Sequence, residues 1–235
     1  MTALAYPASS PSTKKFLACT FLATLSGFLG QVAGAALAIF VLGGQYVLPM
    51  AMTLGLMALL VSLKMMSPSG IKIPLLGENF TLIKMSWWIV LYVVMLKLHG
   101  MYADASGASS EAALTEMARG FKESGLFLKV AIIASTALFA PVFEEIIFRQ
   151  LIIQAYPAHL GRVWVWVAGV SSVVLFTLGH VQYFKVSTFV FIACYAIMLT
   201  VARLHTGGVL TPIVMHVLNN SAACYAMATY SPDTL

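Results

Sequence analysis

Seven stretches of the chain run for about 20 residues each on apolar side chains, separated by short polar breaks, and this repeat limits the fold before any motif is considered. A bilayer core of about 30 Å is crossed by about 20 such residues in a helix. Lipid offers no partner to a backbone amide, so spans of this length must be helical. The expected architecture is all-α, a polytopic transmembrane bundle with spans near 17–43, 46–66, 83–100, 126–156, 161–181, 184–204 and 207–228. Composition agrees: of 235 residues, 60% are hydrophobic and 9% charged, outside the range of a soluble domain of this size. The fourth span is either one long tilted helix or two pieces broken near Pro141, because proline removes an amide donor and crowds the preceding turn.

The first apolar run, after Lys14 and Lys15, is longer than the 7–15 residue core of a signal peptide and reads as a retained helix. Residues 1–15 are rich in Pro, Ser and Thr and read as a disordered tail, leaving 16–235 as one transmembrane domain. The long polar connection, 101–124, carries Ala112, Leu114, Met117, Phe121 and Leu126 at roughly helical spacing, which predicts a short amphipathic helix lying on the membrane surface. Cys19, Cys194 and Cys224 fall within spans without metal-type spacing and read as small core residues. With the N-terminus in the cytoplasm, Lys14, Lys15, Lys64, Lys72, Arg162 and Arg203 lie at cytoplasmic ends and Asp104, Glu111, Glu116 and Glu123 opposite. Lys97, Arg119, Lys122 and Lys185 weigh against that orientation. No basic patch interleaved with aromatics suggests nucleic acid, so the partners implied are the lipid bilayer and whatever enters it.

Function must then lie inside the membrane, where an ionisable side chain costs about 2.5–3.5 kcal/mol on insertion scales. In the last four spans such groups form three short sets. In EEIIFR, Glu145 and Arg149 are four apart and can pair along one helix face, while Glu144, rotated by about 100°, has no local counter-charge. In FTLGH, Phe176 and His180 share a face. In HVLNN, His216 and Asn220 point the same way and offer two donors. Each set alone also suits plain helix packing. Along the helices, Glu144 stands roughly 18 Å from Tyr156, His180 roughly 28 Å from Gly161, and His216 and Asn220 roughly 14 and 20 Å from Gly207. Those depths allow all four to meet in one pocket, and a carboxylate, two imidazoles and an amide together make a hydrolytic constellation.

Glu-Glu-x-x-x-Arg at 144–149, Phe-x-x-x-His at 176–180 and His-x-x-x-Asn at 216–220, in that order, resemble the motifs of the CPBP family, the type II CAAX prenyl proteases and bacteriocin-processing, Abi-like enzymes. The resemblance covers about 126–225, and it departs at Gln150, where the family usually has glycine. It implies an intramembrane endopeptidase acting on a peptide or membrane-anchored protein, in a multi-pass protein of the bacterial cell (inner) membrane. Carried over, Glu144 and His180 would activate a water, His216 and Asn220 would form an oxyanion hole, and Glu145, Arg149 and Phe176 would support them. The implied mechanism needs no cofactor. A zinc site built from Glu144, His180 and His216 stays open, because two imidazoles and a carboxylate are a known catalytic ligand set. No His-Glu-x-x-His or Gly-x-Ser-x-Gly occurs, and Asp104 and Asp233 both lie outside the spans. A catalytically silent scaffold or an ion path is the non-enzymatic alternative, although the matching discontinuous halves of a transporter are absent.

Overall fold

In a computed structural model, residues 13–66, 71, 73–106, 112–157, 160–181, 183 and 185–229 are described, and they form eight helices with no strand among them. Helix α1, Thr13–Leu37, ends in a π turn, Ala38–Leu42. It pairs with α2, Val47–Met65. Helix α3 is Leu82–Ser106 and α4 is Ala112–Glu123. Helix α5 runs without a break over Leu126–Ala155. Helices α6, Arg162–Leu178, α7, Val186–Thr206, and α8, Leu210–Thr229, complete the bundle. The tail to residue 12, Lys72, Glu111 and Asp233 lie outside the described residues.

Five helices, α1, α2, α3, α5 and α7, are long and apolar enough to cross a membrane, so the chain is an integral, multi-pass membrane protein. The two remaining expected spans exist as helices but differ in character. Helix α6 has 17 residues, just short of a full crossing. Helix α8 has 20 residues, yet His216, Asn219 and Asn220 interrupt its apolar run.

Helix α5 answers the question raised by Pro141. It does not break. A π turn at Ser135–Phe139 precedes the proline, and the amide of Ala140 reaches the carbonyl of Ser135, five residues back. This wider register removes the clash that a proline ring would make with the carbonyl four residues before it. A second π segment, Glu145–Ile152, follows after five α-helical residues, Ala140–Glu144, and carries Arg149.

Two sequence expectations gain detail. The amphipathic α4 forms, and it also packs on protein: its buried Ala118 meets Ala137 of α5 and Cys224 and Met227 of α8. Within its stripe Phe121 is buried, Leu114 and Met117 are half-buried and Ala112 is exposed, and Leu126, counted in that stripe, instead opens α5 and is exposed. Arg203 stands at the end of α7, as expected, but is not open to the surface. It is buried in the last turn of α7, where its Nη2 donates to Oε1 of Gln150 on α5 at 2.9 Å. Among the cysteines, Cys224 is buried while Cys194 faces outward.

The ends of α7 and α8 are held by glycine. Gly207 closes α7 at φ +77°, a left-handed conformation that a side chain would strain. The loop before α3 crosses this turn so closely that a Cβ on Gly77 would fall 2.1 Å from the Gly207 carbonyl carbon. Val209 and Leu210 donate from their amides to Pro74 and Leu75 at 3.0 Å each, which fixes where α8 begins and hence the level of His216.

Candidate active site

The site grows from the two π segments of α5. In the second, Arg149 Nη1 donates to Glu145 Oε1 at 3.2 Å, with both side chains fully buried. The guanidinium also donates from Nη2 to the Ala196 carbonyl of α7 at 3.5 Å and lies 4.0 Å from the centre of the Phe176 ring. Buried charge is tolerated here because the guanidinium meets a carboxylate, a carbonyl and an aromatic face, although its Nε has no hydrogen-bond partner.

Glu145 has a second partner that helical spacing cannot reveal. His216 Nδ1, on α8, lies 2.8 Å from Glu145 Oε1. A carboxylate oxygen that already accepts from Arg149 can only accept again, so Nδ1 of His216 carries a proton and Nε2 is turned the other way. That way leads to Glu144, whose Oε2 is 3.9 Å from His216 Nε2. His180 is oriented by the same logic. Its Nδ1 lies 2.8 Å from the Phe176 carbonyl, an obligate acceptor, so its Nε2 bears the lone pair, 3.9 Å from the same Glu144 oxygen.

The three motif groups Glu144, His180 and His216 therefore meet at one atom, Glu144 Oε2, which makes no hydrogen bond to protein. A separation of 3.9 Å is too long for a direct hydrogen bond and short enough for one water to bond to both groups. Glu144 and His180 retain 17% and 21% side-chain exposure against none for Glu145, so the partly exposed carboxylate is Glu144, although its Oε2 is itself buried. Phe176 is the hub beneath them: its ring centre stands 4.5 Å from that of His180, 5.7 Å from that of His216 and 5.3 Å from that of Phe148.

Asn220 stands one turn beyond His216 but is engaged differently from the free donor expected. Its Nδ2 donates to the Thr136 carbonyl in the first π turn at 2.8 Å, and its Oδ1 accepts from Asn219 at 3.1 Å. One amide proton remains. As for metal, no group of three His, Cys, Asp or Glu side chains among the described residues is arranged to hold an ion. Glu144, His180 and His216 present ligand-type atoms toward one another without forming such a group.

Sequence reasoning missed Tyr195, Asn219 and the Gln150–Arg203 contact. Tyr195 is buried on α7 with its ring edge-on to His216, centres 5.8 Å apart. An aromatic residue in an apolar span carries no signal of this, whereas the doubled asparagine at 219–220 was a visible one.

Comparison with known proteins adds one finding. Residues 126–222 match the family model described as type II CAAX prenyl endopeptidase Rce1-like. Over these residues the chain is similar to the Rce1-like family. No curated protein and no solved structure matches the chain. The Rce1-like segment starts with α5 and ends within α8, so it contains every motif residue of the site, while α1, α2, α3 and α4 lie before it.

Proposed function

We propose that this protein is an intramembrane endopeptidase that hydrolyses a peptide bond with a water activated by Glu144, and that it acts on a membrane-borne peptide of the CAAX type. The observation that carries the reading is the convergence of His180 Nε2 and His216 Nε2 on Glu144 Oε2. Water held there gives one proton to Glu144 and bonds through the other to the lone pair of His180 Nε2. Its oxygen forms the new bond to the scissile carbonyl carbon, whose π electrons move onto oxygen. As the intermediate collapses the C–N bond breaks, and the proton on Glu144 passes to the departing amine.

The oxyanion formed midway needs donors placed for it in advance. His216 can donate from Nε2 only while it carries both ring protons, because Nδ1 is committed to Glu145. In that state Glu144, Glu145, Arg149 and His216 sum to zero charge, which suits a site walled by apolar helices. The remaining amide proton of Asn220 supplies a second donor. Glu145 and Arg149 thus act through His216, and Phe176 holds the two imidazoles apart.

The test uses the whole protein in proteoliposomes with a quenched fluorescent peptide ending in a prenylated CAAX sequence. Glu144→Gln keeps the shape and removes the base, so cleavage should fall by about 10²–10⁴-fold while the melting temperature in detergent holds. Activity should survive exhaustive chelation. Stoichiometric zinc that leaves with activity, and restores it when added back, would make Glu144, His180 and His216 ligands instead. Substantial turnover by the Gln variant would end the proposal.

A further inference from the structure

Helix α3 stands outside the Rce1-like segment and, of its 25 residues, buries only Tyr92. That one side chain reaches the site. We propose that Tyr92 is a positioning residue for Asn220, setting the direction of its amide through Asn219; the catalytic consequence rests on the oxyanion role proposed above.

The polarity of the chain of bonds is forced from its far end. The Thr136 carbonyl can only accept, so Asn220 must face it with Nδ2, at 2.8 Å. Oδ1 of Asn220 is thereby turned to Asn219, whose Nδ2 donates to it at 3.1 Å. Asn219 is left with Oδ1 outward, and there the Tyr92 hydroxyl donates at 3.4 Å. One directional chain therefore crosses α3, α8 and α5. Without the hydroxyl, Asn219 can turn over and bring oxygen against oxygen at Asn220, which pushes the Asn220 amide off Thr136. The ring of Tyr92 has a separate task, packing on Tyr195 with centres 5.6 Å apart, and phenylalanine preserves it.

Tyr92→Phe therefore isolates the hydroxyl. The chain has three asparagines, Asn79, Asn219 and Asn220, so the side-chain amides of ¹⁵N-asparagine protein in detergent micelles give a spectrum of three groups with Asn79 as internal reference. The variant should move the Asn219 and Asn220 resonances, leave Asn79 in place and keep the melting temperature. On the prenylated CAAX peptide its kcat should fall about three- to tenfold at unchanged KM, the share of one orienting hydrogen bond. Asn219→Ala should fall equally, and the double variant no further. An unmoved Asn220 resonance overturns the proposal whether or not the protein cleaves anything, and a moved resonance with unchanged kcat overturns the positioning role. Wild-type protein that leaves the peptide uncut refutes the peptidase reading, and the amide spectrum then decides on Tyr92 alone.

Discussion

Helices α1 and α2 and helices α5 to α8 solve the same problem, holding apolar helices together in lipid, by opposite means. The first pair does it with what is missing. A Cβ on Gly30 would lie 2.6 Å from the Leu54 carbonyl oxygen and one on Gly34 2.3 Å from that of Met50, so the two backbones touch where glycine permits it. The second group does it with ions: Glu145 joins Arg149 on its own helix to His216 on another, and Gln150 joins Arg203. Small residues give close packing without chemistry, whereas buried ions add chemistry and carry the risk of an unpaired charge. The difference teaches where substitution should be tolerated and where it should not.

The comparison breaks most sharply at Glu145. Glu145→Gln retains an acceptor but leaves the buried guanidinium of Arg149 without its counter-ion, and stability should drop by about 3–5 kcal/mol, read as an early thermal transition in detergent, with cleavage lost alongside. Gly30→Leu should come next, at about 1–3 kcal/mol, because a leucine must force α1 from α2. In that variant, cleavage measured below its melting point should be largely retained, since no motif residue lies on either helix. The smallest effect belongs to Ser62, whose Oγ accepts from Ser26 at 2.7 Å between α1 and α2. Ser62→Ala should cost about 0.6 kcal/mol, as hydrogen bonds between membrane helices usually do. A Ser62 effect as large as that of Glu145 would erase the distinction between the two regions.

Most of this bundle was legible in the sequence because apolar run length answers directly to bilayer thickness. The seven expected spans correspond to α1, α2, α3, α5, α6, α7 and α8, with ends displaced by a few residues. Motif spacing likewise brought Glu144, His180 and His216 together on the page before they met in space. Glu145 shows where such reasoning stops. Its partner at 149 accounts for it locally, so nothing in the sequence asks for His216, 71 residues onward. Arg203 shows another limit: position near a span's end suggests an aqueous charge, and only packing reveals that Gln150 faces it from α5. For α4, an apolar stripe reports that something apolar covers it, not whether that cover is lipid or protein.

The π segment at Glu145–Ile152 has a further meaning when read as a count of residues. A π turn holds one residue more than the α turn it replaces, so this stretch is a stored insertion. Removing one residue from it would let α5 regain ordinary helical hydrogen bonding and strengthen the helix taken alone. Residues past Ile152 would keep roughly their direction, because the deletion removes only what the π turn had absorbed, while those inside the segment would change their angle about the axis relative to Glu144. Arg149 would leave Phe176, and Gln150 would leave Arg203. The helix is thus kept one residue longer than its own backbone favours, and lineages that alter this stretch should change amino-acid types far more readily than length.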